Sequence, residues 1–381
     1  MQMMFKYCLI LLAMVSAPIK LMAETIKDQI VMSYSYYSDN VGLNTYSPFI
    51  SLQKRLGEHW GMTASFEVDA VSAASIRNGN GRNIKDGVIV DAVSGASDRV
   101  GFDDLRTAPT ISFMYSNGDF LMDFGSYYST EIDYDVIAGF GSIGYGFNDA
   151  NTIITLGGSY EQAQWSPSTN RKLFPSGEKS QKQFNASIMQ LINPESYLQI
   201  RFSYILQEGF LASPYHYLVN DTTAQFDRYP GERTSYATAF QYVSQLGEDF
   251  STHLEYRFYA DNWDVQSHTV QAQLFYNIMD NLLFGVRARG YSQSKASFTK
   301  GLNDYRTDDK YIVSDYRLSA LATTGAGLSL SYKPGFFNDD SVSFDFSYDV
   351  FSTDDNAYIE NWYDETSLKA NMFTFALSYD F

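Results

Sequence analysis

The side chains that could do chemistry are few and scattered. Histidine occurs only at His59, His216, His253 and His268, without the short spacings that put two imidazoles on one metal. The single cysteine, Cys8, lies near the N-terminus and excludes a disulfide framework. The sequence has no phosphate-binding glycine loop, no G-x-S-x-G and no H-E-x-x-H. Serine, histidine and aspartate occur in no recognisable order of nucleophile, base and orienter. No catalytic residue, cofactor or enzyme activity is expected.

Charge is the remaining chemistry. Arg201, Arg257, Arg287, Arg289 and Arg317 share a polar parity, each alternating with apolar neighbours, and Glu255 shares that parity with Arg257. Glu67, Asp69, Asp123, Asp345 and Asp349 hold the equivalent position in other segments. Opposed charges across a pore would order water and select polar solutes; paired, they would fill the interior instead. A second group, Asp103, Asp104, Glu131 and Asp133, is a weak candidate for a hard cation such as calcium and otherwise reads as a solvated acidic surface. No metal is assigned.

These charges need a scaffold, and the chain repeats one plan. Segments of about ten residues alternate apolar and polar, the period of a half-buried strand. Val342, Phe344, Phe346, Tyr348 and Val350 alternate with Ser343, Asp345, Ser347 and Asp349. Leu282, Phe284, Val286 and Ala288 alternate with Gly285, Arg287, Arg289 and Tyr291, and the same holds for Phe373, Phe375, Leu377, Tyr379 and Phe381. The polar face is mostly Ser, Thr, Gly and Gln, which suits a water-filled lumen with the apolar face toward lipid. About sixteen strands are expected, near 28–38, 46–56, 59–72, 107–116, 119–130, 132–147, 150–164, 180–193, 196–208, 233–246, 249–262, 264–279, 281–294, 315–333, 339–352 and 367–381. Short and longer connections alternate, apart from two short ones near 129–133 and 260–264. The fold class is therefore all-β: a transmembrane antiparallel up-and-down barrel of about sixteen strands. Its short turns would be periplasmic, its longer loops extracellular and both termini periplasmic. Trp60, Tyr127, Tyr128, Trp263, Tyr291 and Trp362 are expected in interfacial girdles.

Composition agrees. The 381 residues carry 44 acidic and 27 basic side chains, a formal charge of −17, which argues against a nucleic-acid partner. Aromatics reach 16% and charged residues only 19%. Residues 1–23 read as a secretory signal, with Lys6 before the short apolar run Leu9–Val15 and small residues up to Ala23. Residues 24–381 would then form one barrel domain. Phe381 on the lipid-facing parity resembles the terminal assembly signal of bacterial barrels, which implies barrel-assembly machinery as a partner. Outer-membrane lipid and lipopolysaccharide are the other expected partners, with loop acids such as Asp304, Asp308 and Asp354 suited to bridging cations.

The segment Val68–Ser75 returns almost unchanged as Val90–Ser97. Its second copy contains D-A-V-S-G-A-S, with Asp91, Ser94, Gly95 and Ser97. Further segments follow in order: Phe102–Arg106, Ser129–Tyr134 with Glu131 and Asp133, Ser213–Tyr217, Tyr229–Arg233, Tyr256–Trp263 with Asp261 and Trp263, Ser267–Val270 with His268, and Ser314–Ser319. Together they resemble an uncharacterised family of Gram-negative outer-membrane barrels, a domain of unknown function. Phe258 and Ala260 depart from the family pattern. The resemblance implies a barrel and an outer-membrane address, and no established reaction. Two classes of function remain open. One is a porin-like channel for small polar solutes with an arginine-lined wall. The other is a structural or docking barrel with a filled lumen, serving a periplasmic, redox-type partner.

Overall fold

A computed structural model describes residues 26–74, 101–166, 175–213, 216–220, 223–335, 341–363 and 365–381. The chain runs through β1 (Gln29–Asp39), β2 (Leu43–Arg55), β3 (Trp60–Ala74), β4 (Gly101–Asn117), β5 (Phe120–Thr130), β6 (Tyr134–Phe147), β7 (Thr152–Trp165), β8 (Gly177–Asn193) and β9 (Ser196–Gly209). It continues through β10 (Tyr217–Asn220), β11 (Thr223–Phe226), β12 (Glu232–Leu246), β13 (Phe250–Asp261), β14 (Gln266–Met279), β15 (Leu282–Gln293), β16 (Leu321–Tyr332), β17 (Val342–Thr353) and β18 (Lys369–Asp380). Sixteen of these strands form one closed barrel; β10 and β11 pair separately as a small hairpin. Antiparallel pairing of β1 with β18, from Gln29↔Asp380 to Asp39↔Ala370, closes the sheet. Closure leaves no strand edge unpaired, as a sheet in lipid requires.

Two-residue periodicity sorts the side chains. Ile50, Phe66, Ile143, Ile188, Leu274 and Leu328 stand exposed on the outer face. Their sequence neighbours point inward and are mainly Ser, Gly and Gln. A 12-residue strand such as β15, tilted by ~40°, covers about 30 Å, the thickness of a hydrocarbon core. No helix among the described residues is long and apolar enough to cross a membrane.

Every expected strand occurs, with informative shifts. β16 begins at Leu321, not residue 315, because Asp315 accepts a bond from Arg317 N and caps a single 3-10 turn, Tyr316–Leu318. β4 begins at Gly101, well before residue 107. The expected girdle is also partly corrected. Trp60 and Tyr128 are exposed on the outer face, but Trp263 is buried beneath the loops. Tyr127 and Tyr291 have inward parity; Tyr127 accepts a hydrogen bond from Arg106, and Tyr291 donates one to Gln293. Trp362 has a side chain outside the described residues.

One rim carries the short connections, such as 118–119, 194–195 and 280–281, together with Gln29 and Asp380. The other carries the long ones, and there the loops fold back on the barrel. Leu218, Trp263, Val265, Ala296, Ile312, Val313 and Tyr358 form a dry cluster there. Ile359, on the helix Ala357–Tyr363, is fully buried against Tyr37, Ala370, Phe351 and Met372. Those four residues have inward parity on β1, β18 and β17, so the helix occupies the barrel mouth. Tyr316 packs against both clusters and joins them.

Candidate functional site

The lumen wall on β9 and β12–β17 is built around four arginines. Arg201 pairs with Glu255 across the intervening strand β12, above the small, buried Ala239. Arg287 pairs with Asp349 in the same manner across β16, its Nε donating to Asp349 Oδ1 at 3.0 Å. Arg287, Gly327 and Asp349 form one register row. A Cβ on Gly327 would collide with Asp349 Oδ1 and crowd Arg287 Nε, so any larger residue would force the bridge to shift. Arg257 and Arg289 have no hydrogen-bond or ion-pair partner among the described residues. Arg289 faces inward and is exposed. Asp345 also faces inward and accepts a long bond from Ser343 at 3.4 Å.

The opposite wall is more acidic. Arg106 is 1% exposed and Asp69 2%. Arg106 donates to Asp69 Oδ2 at 2.9 and 2.7 Å, to Glu67 at 2.9 Å and to the Tyr127 hydroxyl at 2.8 Å. Asp123 accepts from Ser142, and Lys179 pairs with Glu161 at 3.3 Å. Arg106 is missing from the lumen residues expected from sequence because it lies one position before the expected start of its strand. In register it stands directly opposite Asp69.

At the long-loop rim a third set converges. Asp227 accepts from Ser314 N at 2.9 and 3.0 Å and from the Tyr229 hydroxyl at 2.7 Å. His216 Nδ1 lies 3.7 Å from Asp315 and 3.9 Å from Asp227. Asp315 pairs with Arg317, whose backbone oxygen accepts from inward-facing Gln293 at 2.8 Å. Arg317 therefore does not line the wall of β16; it locks a loop across the mouth. Burial pulls His216 down to about 4, against the attraction of Asp315. Burial pushes Asp227 up to about 7, against the hydrogen bonds of Tyr229 and Ser314. Burial also acts to raise Asp315, but Arg317 and His216 outweigh it and bring that carboxyl down to about 2. Beside this set, Asp261 accepts from Arg233, Tyr259, Trp263 N and Val265 N, and Arg233 stacks over Trp263 at 4.5 Å.

Four of the eight segments that carry the family resemblance meet at this rim: His216 from one, Tyr229 and Arg233 from another, Asp261 and Trp263 from a third, Asp315 and Arg317 from a fourth. His268 is outside this set, exposed on β14 and bonded to the Tyr256 hydroxyl at 2.8 Å. Asp91, Ser94, Gly95 and Ser97 lie outside the described residues. Of the candidate cation cluster, Asp103 and Asp104 have side chains outside the described residues. Glu131 and Asp133 lie in the β5–β6 connection, Asp133 buried. No group of His, Cys, Asp or Glu among the described residues is placed to hold a metal ion.

A family model described as "Protein of unknown function (DUF3570)" matches residues 8–379. The chain belongs to that family. This DUF3570 barrel matches no curated protein. Among solved structures it resembles a bacterial polysaccharide outer membrane secretin at 8% identity and a TM-score of 0.51, covering 93% of this chain and 98% of that one. It is also similar to the outer membrane protein opdK from Pseudomonas aeruginosa, at 10% identity and a TM-score of 0.43, over 93% of this chain and 98% of that one. A match to the siderophore receptor PirA from Pseudomonas aeruginosa has 9% identity and a TM-score of 0.45, and covers 87% of this chain. The DUF3570 chain spans only 56% of that receptor. At such identities the likeness concerns fold alone: an outer-membrane-type β-barrel.

Proposed function

We propose that this barrel is an outer-membrane channel for small polar solutes, with an arginine-lined wall and a mouth narrowed by packed loops. The observation that carries the reading is Arg289. It points into the barrel, is exposed, and has no partner among the described residues. An unpaired guanidinium is tolerated only in water, because leaving it dry would cost several kcal/mol. A wet interior is what about sixteen strands leave room for. The short-turn rim, holding both ends of the barrel, is taken as periplasmic, with residues 1–23 removed as a signal.

Planar-bilayer recording of the purified full chain tests the reading. Discrete conductance steps are expected. A well-folded barrel that gives none would transfer the protein to the docking class. The specific observation behind that alternative is the dry loop cluster in the mouth, which fits a barrel displaying loops to a partner.

A further inference from the structure

Arg257 lies on β13 and Arg289 on β15, facing the lumen on either side of β14. Arg257 pairs in register with Thr269, and Arg289 with Gln271. Their Cα atoms are therefore two strands and two residues apart, about 12 Å at ordinary sheet spacings. Arginine side chains on a concave wall can close that gap and converge on one ligand. The Arg289 guanidinium is crowded by the wall around it and repelled by Arg257 and Arg287, while Glu255, in one register row with Gln271 and Arg289, attracts it. The nearby acids are already engaged, Glu255 with Arg201 and Asp349 with Arg287. Thr269 and Gln271, between the two arginines, also have side chains with no hydrogen-bond partner among the described residues. Guanidinium cannot relieve the repulsion by losing a proton.

We infer that Arg257 and Arg289, with Thr269 and Gln271 between them, form a binding site for the oxyanion group of a small solute, a carboxylate or a phosphate. Two oxygens of a carboxylate or a phosphate match the guanidinium fork and take two parallel hydrogen bonds from it. Bridging two forks replaces a like-charge contact with two opposite-charge ones. The threonine hydroxyl and the glutamine amide supply further donors. Glu255, held beside the site by Arg201, disfavours bulky polyanions and limits the ligand to one charged group at a time.

The inference deepens the channel reading and rests on it for its purpose, but the binding test is independent of conductance. Full-chain protein in detergent is titrated at low salt with inorganic phosphate and, separately, with acetate, by equilibrium dialysis. One anion per barrel is expected for at least one probe; which probe binds tells phosphate from carboxylate. The double variant Arg257→Gln/Arg289→Gln should weaken binding by about tenfold to a hundredfold, the loss of a charge-assisted bond. Arg289→Lys keeps the charge and loses the fork, so an intermediate loss is expected, and it serves if the double variant misfolds. Retained heat-modifiable gel mobility certifies folding. Absence of binding by both probes, or binding unchanged in the variants, overturns the site. Conductance without anion binding leaves the channel standing and removes the site. Binding without conductance does the reverse.

Discussion

The barrel treats charge in two opposite ways. At the long-loop rim and the acidic wall, each of these buried charges is matched: Arg106 with Asp69 and Glu67, Asp261 with Arg233, Asp315 with Arg317. Further down the lumen, Arg257 and Arg289 make no ion pair among the described residues, and Glu255 attracts Arg289 only from across Gln271. The difference follows from solvation. A buried ion must be paired because its desolvation costs several kcal/mol, whereas a hydrated one need not be. Pairing of these buried charges at the rim and incomplete pairing on the wall, where Arg201 and Arg287 are paired and Arg257 and Arg289 are not, separate a rim that holds shape from a wall that can hold a solute.

The sharpest way to break that comparison is to remove one arginine from each region. Arg106→Leu leaves Asp69 and Glu67 buried without their cation, so a loss of about 3–5 kcal/mol is expected. Arg257→Leu, on the wet wall, should stay within about 0.5 kcal/mol of the wild type. Urea unfolding of barrels in lipid vesicles reads both. Equal costs would mean that the lumen is as dry as the rim.

The face assignment is tested next. Leu328→Arg puts a charge into hydrocarbon and should cost about 2–4 kcal/mol near the midplane. Ser329→Arg, one residue along and facing the lumen, should cost far less in the same vesicle assay. Similar losses at both would refute the inward parity on which the arginine wall depends.

Much of this was legible in the sequence because the strand signal has period two and lipid demands a one-sided apolar face. Alternation alone put Arg201, Glu255, Arg257, Arg287, Arg289, Asp345 and Asp349 on one parity. It put Arg317 there too, wrongly, since a 3-10 turn has no such period, and it missed Arg106, which lies beyond the visible end of its strand. The rim cluster was hidden for another reason. His216, Asp227 and Asp315 come from different connections and meet only after the barrel closes. The sole trace is that the segments of His216 and Asp315 carry the family resemblance, which says that they matter and not that they touch; Asp227 lies outside those segments. Trp263 shows the same limit: its type suited a membrane girdle, yet its Nε1 donates to Glu232 O beneath the loops at 2.9 Å.

A smaller change should convert one region toward the other. Gly327→Ala inserts a methyl where Arg287 and Asp349 meet. Overpacking should cost about 1–3 kcal/mol, and the pair should part. Arg287 would then join Arg257 and Arg289 as a free cation on the wall. Reversal potentials across a salt gradient should shift toward anion selectivity. An unchanged reversal potential in an open channel would show that the bridge re-forms around the methyl or that these arginines do not face the permeation path.

The smallest effect concerns pH at the mouth, because two buried groups oppose each other there. His216 titrates at about 4 in the folded rim instead of 6.5. Folding disfavours its proton, so its contribution is complete above 6.5 and is lost as pH falls toward 4. Asp227 titrates at about 7 instead of 3.8. Its contribution is complete below 3.8 and is lost as pH rises through 7. Asp315, at about 2, loses its contribution only below 3.8 and stays charged throughout the window, beside Arg317. Between pH 4 and 6.5 the two slopes therefore have opposite sign, and the loop packing of the wild type should respond weakly. Each single variant should expose one slope. In Asp227→Asn the mouth should loosen as pH falls from 6.5 toward 4, with His216 acting alone. In His216→Gln it should loosen as pH rises from about 4 to 7, with Asp227 acting alone. Amide hydrogen exchange over residues 294–320, corrected for intrinsic pH dependence, measures both. Slopes of the same sign in the two variants would mean that this cluster does not control the packing of the mouth.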